Sequence, residues 1–168
     1  MPRTYEPIAS QTLGSNAASV TFSDIPGTYT DLRLVAFARS TRSATNDFLL
    51  LRFNSDSGSN YSRTYLYGNG TSALSTRNSN LTLATVDSFP AANSSSGIFC
   101  ATVIDFMSYA NTNVFKTVLS RNSDNSLTGA TVNLWRSTSA ITSILLYPEN
   151  GPNLASGSTF SLFGLKAA

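Results

Sequence analysis

The sequence predicts an all-β protein, a single antiparallel β-sandwich domain of jelly-roll-like type. Three observations support this prediction. Apolar and polar residues alternate with a period of two along most of the chain, and no helical stripe of any length is present. Clusters of Gly, Pro, Asn, Asp and Ser separate these short segments at regular intervals. A length of 168 residues suits one domain with a sizeable core.

Eleven segments have the composition and alternation of strands. In residues 31–40, for example, Leu32 and Leu34 alternate with Arg33 and Val35, so that one side of the strand can be core and the other mixed. The eleven predicted strands are 8–13, 19–22, 31–40, 48–53, 62–67, 81–88, 97–107, 113–121, 129–137, 141–147 and 158–166.

The connections between these segments carry further predictions. About eight residues, including Pro26 and Gly27, separate the second segment from the third, which is too long for a tight two-residue hairpin. We therefore expect these two strands to lie in different sheets. Residues 68–80 form the longest stretch without alternation and predict an exposed loop. Residues 1–12 predict an extended N-terminal arm, and residues 13–168 the sandwich domain.

The composition indicates a neutral, hydrogen-bonding surface. Ser, Thr and Asn account for 62 residues, only 12 % of residues are charged, and the formal net charge is +2. Such a small charge gives no reason to expect nucleic acid as a partner. The longest apolar runs are far below the roughly 18 residues of a membrane span, so we expect no membrane contact. Residues 33–77 carry six Arg against two Asp, which indicates either a local basic face or scattered solvated side chains.

The residue types that usually carry catalysis are scarce. The sequence has no His, which removes the commonest general base and most zinc sites. The single cysteine, Cys100, lies in an apolar run and predicts a buried thiol. Asp105 also interrupts that run, and we expect it to face solvent, a neighbouring Arg or a subunit contact. The loop from Asp56 fails the EF-hand pattern. We expect neither an enzyme nor a cofactor or metal requirement.

Aromatic residues give the best signal for binding. Tyr61, Tyr65 and Tyr67 occupy alternate positions of one predicted strand and therefore share one side of it with Arg63. Tyrosine faces stack on sugar rings or form protein contacts, but a large sandwich also needs aromatic core residues. The row is thus open to both interpretations, and Trp135 is interpreted as core.

Three stretches resemble small virion proteins of tailed bacteriophages, including cyanophages. They are "ASVTFSDIPGTYTDLRLVAFARS" from residue 18, "FLLLRFNSDSGSNYS" from residue 48 and "SGSTFSLFGLKA" from residue 156. The resemblance covers residues 18–61 and 156–167. It implies a β-sandwich or jelly-roll protein on the capsid or the tail, commonly trimeric, with a binding role.

Two roles follow from this resemblance. The first is a decoration protein on the outer surface of the virion capsid, a homotrimer that binds and stabilises the lattice of the major capsid protein. The alternative is a tail-fibre or receptor-binding module that recognises a host saccharide. For the first role the expected contact residues are Arg3, Tyr5, Ile8, Arg39 and Arg42. For the second, the candidate residues are the three tyrosines and the loop at 68–80.

Overall fold

A computed structural model of the chain describes residues 4–124 and 127–166, apart from the side chain of residue 87. These residues form one domain that consists of β-strands, turns and loops. The strands are β1 (Tyr5–Thr12), β2 (Val20–Phe22), β3 (Asp31–Ala38), β4 (Asn46–Phe53), β5 (Tyr61–Gly68), β6 (Ala73–Leu81), β7 (Ala84–Pro90), β8 (Cys100–Met107), β9 (Lys116–Ser123), β10 (Thr128–Trp135), β11 (Ile144–Pro148) and β12 (Thr159–Leu165).

The strands form two antiparallel sheets that pack face to face. The large sheet has the order β1-β12-β3-β8-β9-β10-β5-β6, and the small sheet has the order β2-β11-β4-β7. If the hairpins β5–β6 and β9–β10 are set aside, the remaining eight strands form two four-stranded sheets. Their order is first-eighth-third-sixth in one sheet and second-seventh-fourth-fifth in the other, which is the jelly-roll arrangement. The fold class predicted from the sequence is therefore confirmed.

The two hairpins widen one sheet of the jelly roll. Strand β9 pairs with β8, β10 pairs with β9, and β5 with its partner β6 continues the same sheet. We call β9, β10, β5 and β6 the extension. The small sheet ends at β7, which lies over the inner side of β9, β10 and β5. Strand β6 lies beyond this cover and is exposed on both sides.

The core lies between the sheets and follows the alternation seen in the sequence. Leu32, Leu34 and Ala36 of β3 point inward and are fully buried. Phe53 of β4 approaches Phe106 of β8 edge to face, with ring centroids 5.8 Å apart. Burial of apolar area of this kind is the main favourable contribution to folding.

All eleven predicted strands are present, with end points shifted by a few residues. Strands β2 and β3 lie in different sheets, as the long connection through Pro26 and Gly27 predicted. The prediction of a loop at 68–80 was wrong, because residues 73–81 form β6. Both sides of β6 face solvent, so neither side selects apolar residues and the alternation that marks a strand is lost.

The first twelve residues include the edge strand β1. Residues 5–12 pair with β12 in an antiparallel register, with a shift between Pro7 and Ala9. Ile8 packs against the core at this shift and is half-buried. Tyr5 is 45 % exposed at the start of the strand, and Arg3 lies outside the described residues. The stretch predicted as an arm thus contributes backbone pairing and a core contact within its own domain.

Candidate functional site

The outer face of the large sheet carries many apolar side chains that point away from the core. Its most exposed members are Phe37 at 48 %, Leu66 at 53 %, Met107 at 42 % and Val132 at 42 %. We define the outer face by these four residues and by the half-buried side chains between them, Val35, Val103, Leu119, Ala130 and Phe163.

The pairing registers place these side chains next to one another. Val35 lies opposite Val103, and Leu119 lies opposite Val132. Residues paired directly across antiparallel strands point to the same side of a sheet, so the apolar residues form adjoining rows. The outer face was not predicted from the sequence, although the signal was present. In β3 the outward positions Val35 and Phe37 are as apolar as the inward positions Leu34 and Ala36.

One charged cluster interrupts the outer face. The Nε atom of Arg33 donates to Oδ1 of Asp105 at 2.5 Å, and Nη2 of Arg121 lies 3.9 Å from Oδ2 of the same carboxylate. The hydrogen bond to Asp105 outweighs partial burial and raises the pKa of Arg33 above its ordinary value. The guanidinium of Arg33 also contacts Tyr5, with its Cζ 5.5 Å from the ring centroid. Of the three surroundings expected for Asp105, the structure shows a neighbouring Arg.

The outer face is hollow at its extension end. An open depression of about 560 Å³ lies over the turn between β5 and β6 and the start of β10. The outward-facing residues that line it are small apart from Leu66: Gly68, Ala73, Ser75, Thr128 and Ala130. The hollow and the bulky Phe37 belong to the same outer face.

The structure divides the predicted tyrosine row. Tyr61 is fully buried and stacks on Trp135, with centroids 6.3 Å apart, so it belongs to the core and not to a binding face. Its hydroxyl accepts a hydrogen bond from the backbone N–H of Phe53 at 3.2 Å and donates to the carbonyl of Asp56 at 3.1 Å. Burial raises the pKa of Tyr61 to about 12. The interpretation of Trp135 as core is confirmed.

Tyr65 and Tyr67 remain as surface candidates. Both are half-buried, and their rings stack with centroids 4.6 Å apart and planes 17° apart. They face the same side of the sheet as Arg63, whose Nε donates to Oδ1 of Asn78 at 3.0 Å. This side continues the inner surface of the sandwich where the extension passes beyond β7. The pair thus offers aromatic area beside hydrogen-bonding groups.

Asp56 holds the loop after β4 against the end of β10. Its carboxylate accepts hydrogen bonds from Nε1 of Trp135 at 2.7 Å, from Nδ2 of Asn60 at 2.9 Å and from the N–H of Gly58 at 2.8 Å. Burial alone would raise the pKa of Asp56, but the three donors outweigh it and hold the pKa below its ordinary value.

Arg39, a predicted partner-contact residue, holds a loop of its own chain. Its guanidinium donates to the carbonyl oxygens of Ser95 at 2.7 Å, Ile98 at 2.9 Å, Ala92 at 3.1 Å and Ser94 at 3.0 Å. The planar guanidinium presents several donors in fixed directions, which suits it to gather carbonyl groups in this way.

Arg42, the other predicted arginine contact, lies beside a buried carboxylate. Its Nη1 donates to the carbonyl of Asn46 at 3.1 Å and lies 4.0 Å from Asp47. Asp47 is fully buried and accepts hydrogen bonds from the hydroxyl of Ser40 at 2.7 Å and the N–H of Gly151 at 2.8 Å, among others. The cluster ties the loop before β4 to the loop after β11.

Lys116 is a buried cation that also holds loops of its own chain. Its ammonium donates to the carbonyl oxygens of Val114 at 2.8 Å and Thr138 at 3.2 Å and also to that of Asn111. Burial lowers the pKa of Lys116. In the described part of the chain, no three His, Cys, Asp or Glu side chains form a group that could hold a metal ion.

No protein-family model matches the sequence, and no curated protein matches it. Over residues 4–124 and 127–166 there is no helix long and apolar enough to cross a membrane.

Proposed function

We propose that the chain is a structural protein of a bacteriophage virion, a homotrimeric decoration protein that binds the major capsid protein lattice from outside. The observation that carries this proposal is the broad apolar outer face, where Phe37 and Leu66 are each about half exposed. Exposed apolar area on this scale marks interaction surfaces in folded proteins. It suits a protein whose work is adhesion.

The use of the charged side chains supports an adhesive role. Arg39, Asp47, Asp56 and Lys116 bind loops of the chain itself, through the contacts described above. These groups stabilise the ends of the sandwich against unfolding. A protein that clamps a lattice benefits from such internal stability, because many weak contacts add up only if each copy stays rigid.

The two regions that resemble phage virion proteins are neighbours in the fold. Residues 18–61 include β3 and residues 156–167 include β12, and these two strands pair from Asp31 opposite Leu165 to Phe37 opposite Thr159. The resemblance therefore concerns the centre of the jelly roll. It supports a related scaffold.

The capsid contact is assigned to the β1 edge. Tyr5 is exposed there and lies against Arg33, and the ammonium of Lys166 pairs with Glu6 at 2.9 Å. Arg39 and Arg42 contribute indirectly by holding their loops. A deletion of residues 1–12 would also remove the partner of β12 and the core contact of Ile8. Removal of residues 1–3, or Tyr5→Ala, leaves most of that pairing in place and is the sharper change.

The test is copy number and position in an intact particle. Quantitative mass spectrometry of purified virions should give a copy number comparable with that of the major capsid protein, and cryo-electron microscopy should place the density on the capsid. Purified wild-type chain should rebind capsids that lack it, and Tyr5→Ala should rebind more weakly. Ser10→Ala, which alters an exposed position of the same strand, is the matched control. A few copies confined to the tail would contradict the proposal.

The stacked tyrosines support a second candidate, a saccharide-binding module of the tail. Tyr65, Tyr67 and Arg63 offer stacking area and a charged donor on one side of the extension. Under this alternative the chain binds a glycan array or host lipopolysaccharide, and Tyr65→Ala weakens binding about tenfold or more. Tyr147→Ala on the small sheet is the control. Under the decoration role neither variant changes glycan binding, because there is none to lose.

A further inference from the structure

The outer face carries an exposed aromatic ring and a hollow at separate places. Phe37 of β3 is 48 % exposed, and Ala101 lies directly opposite it. The hollow of about 560 Å³ lies over Gly68 and Ala73. The registers place Phe37 and Gly68 in one row across the sheet, four strand spacings apart, which is roughly 19 Å. Phe37 cannot reach the hollow of its own chain.

The outer face has the area of a stable protein interface. The seven strands from β12 to β6, spaced about 4.8 Å apart and with about seven residues each, span roughly 780 Å². Standard interfaces bury about 800 Å² on each partner. This side of the sheet thus has about the area that one partner buries in a standard interface.

We infer that a second copy of this chain covers the outer face, with Phe37 of each copy seated in the hollow of a neighbour. The inference deepens the proposed trimer, on which it rests, by naming its contact surface. One chain carries both parts of the contact, the ring of Phe37 and the hollow that receives it. A row of small residues accepts an aromatic ring without displacing backbone, and Leu66 forms the apolar wall beside it.

Phe37 and the hollow are different parts of the surface. In the proposed trimer, each copy therefore inserts Phe37 into the hollow of one neighbour and receives the Phe37 of the other. Such a contact closes into a ring when the rotation between copies is a simple fraction of a turn, and three copies satisfy the proposed trimer. The charged cluster of Arg33, Asp105 and Arg121 lies on β3, β8 and β9, displaced along the strands from Phe37, and Arg33 pairs with Asp105 within its own copy.

The first test is the mass of the full chain in solution, measured by light scattering and by sedimentation. Wild type should be oligomeric, and Phe37→Lys and Leu66→Lys should each weaken self-association about tenfold or more. The matched control is Leu145→Lys. Leu145 is half-buried on β11 of the small sheet, between the inward-facing Ile144 and Leu146, and it does not line the hollow. The control should stay within about twofold of wild type.

Two results of this test overturn the inference. One is a wild-type chain that remains monomeric at the highest concentration that stays in solution. The other is an oligomer that Phe37→Lys and Leu66→Lys leave intact. Because a lysine in a strand can harm folding, Phe37→Thr is measured in parallel, and circular dichroism confirms the fold of each variant. Threonine keeps β-propensity and removes the ring.

The second test maps the contact. A thiol-reactive benzophenone on Phe37→Cys should crosslink two copies, and peptide mass spectrometry should place the crosslink within residues 66–75 or 128–130 of the neighbour. The native thiol Cys100 is buried and serves as the unlabelled reference. Crosslinks to any other part of the neighbour overturn the inference even if the chain is oligomeric.

These tests separate the inference from the proposed function. A chain that associates through the outer face but is absent from capsids leaves the inference standing and contradicts the decoration role. A chain found on capsids whose Phe37→Lys variant still forms trimers contradicts the inference alone.

Discussion

The two halves of the large sheet cover their inner sides in different ways. In the half formed by β1, β12, β3 and β8, inward residues such as Leu34, Phe160 and Leu162 are fully buried against the small sheet. In the extension, the inward positions of β9 and β10 include the buried polar residues Ser120, Asn122, Thr131 and Asn133. Hydrophobic burial holds the first half, whereas side-chain hydrogen bonds hold much of the second.

The polar residues of the extension have a specific partner in β7. Asn133 accepts a hydrogen bond from the N–H of Thr85 at 3.1 Å and donates to its carbonyl at 3.0 Å. Asn122 donates to the carbonyl of Ser88. Strand β7 is an edge strand of the small sheet, so one row of its backbone groups has no strand partner. The extension supplies side-chain amides in place of that strand.

The difference between the two halves indicates where the protein tolerates substitutions and partner contacts. The jelly-roll half depends on close packing, in which a change of one methylene group is felt. The extension depends on a few directional bonds and then runs beyond its cover at β6. Surfaces for partners are therefore easier to build on the extension, which carries both the hollow and the stacked tyrosines.

The largest expected effect contrasts the two sides of the sheet. Leu34→Ala should lower the free energy of unfolding by about 2–5 kcal/mol, because it leaves a cavity in the core of the jelly-roll half. Leu66→Ala in the extension should change it by less than about 0.5 kcal/mol when the chain is dilute and monomeric. Urea unfolding of both variants measures the difference. Equal losses would show that the extension is packed as tightly as the jelly-roll half.

The next effect tests the amide partner of β7. Asn133→Ala should cost about 1–3 kcal/mol, because it leaves the N–H and carbonyl of Thr85 buried without those bonds. Asn78→Ala, at a more exposed position of the extension, should cost less than about 0.5 kcal/mol. Hydrogen exchange should also show faster exchange at Thr85 in the first variant. If hydrogen exchange at Thr85 is unchanged, Asn133 does not protect the backbone of Thr85.

A smaller effect depends on pH at the loop after β4, which Asp56 holds against the end of β10. The pKa of Asp56 is lowered in the folded state, so its contribution is present above the unfolded pKa of about 3.8 and is lost as the pH falls through the folded pKa. Asp56→Asn should cost about 1–2 kcal/mol at pH 7 and flatten the acid side of the stability profile. Asp24→Asn, at an exposed turn, should leave stability at pH 7 unchanged. An acid profile identical to wild type would contradict the assignment.

The smallest effect concerns the uncovered side of the extension. Tyr67→Ala should lower the free energy of unfolding by about 0.5–1.5 kcal/mol through loss of the stack with Tyr65. Tyr67→Phe, which keeps the ring, should retain nearly all of the stability. Thermal unfolding followed by circular dichroism provides the measurement. A loss as large as that of Leu34→Ala would place Tyr67 in the core.

Strands could be predicted wherever one side of a strand is buried. Strand β3 was predicted because Leu32 and Leu34 face the core while Arg33 does not. Strand β6 could not be predicted, since both of its sides face solvent and its residues carry no alternation. For the candidate site, alternation correctly placed Tyr61, Tyr65 and Tyr67 on one side, but it could not show that the cover ends between Tyr61 and Tyr65.

The sequence by itself determined the class of the fold, the strands with a buried side and the change of sheet through Pro26 and Gly27. These properties follow from local sterics and from the burial of one side of each strand. Both can be recognised from residues that lie close together in the sequence. Only the tertiary structure decided that β9, β10, β5 and β6 extend one sheet, and that Phe37 and the hollow at Gly68 share its outer face. Pairing between strands distant in sequence depends on the packing of the whole chain, because any alternating strand can pair with many others.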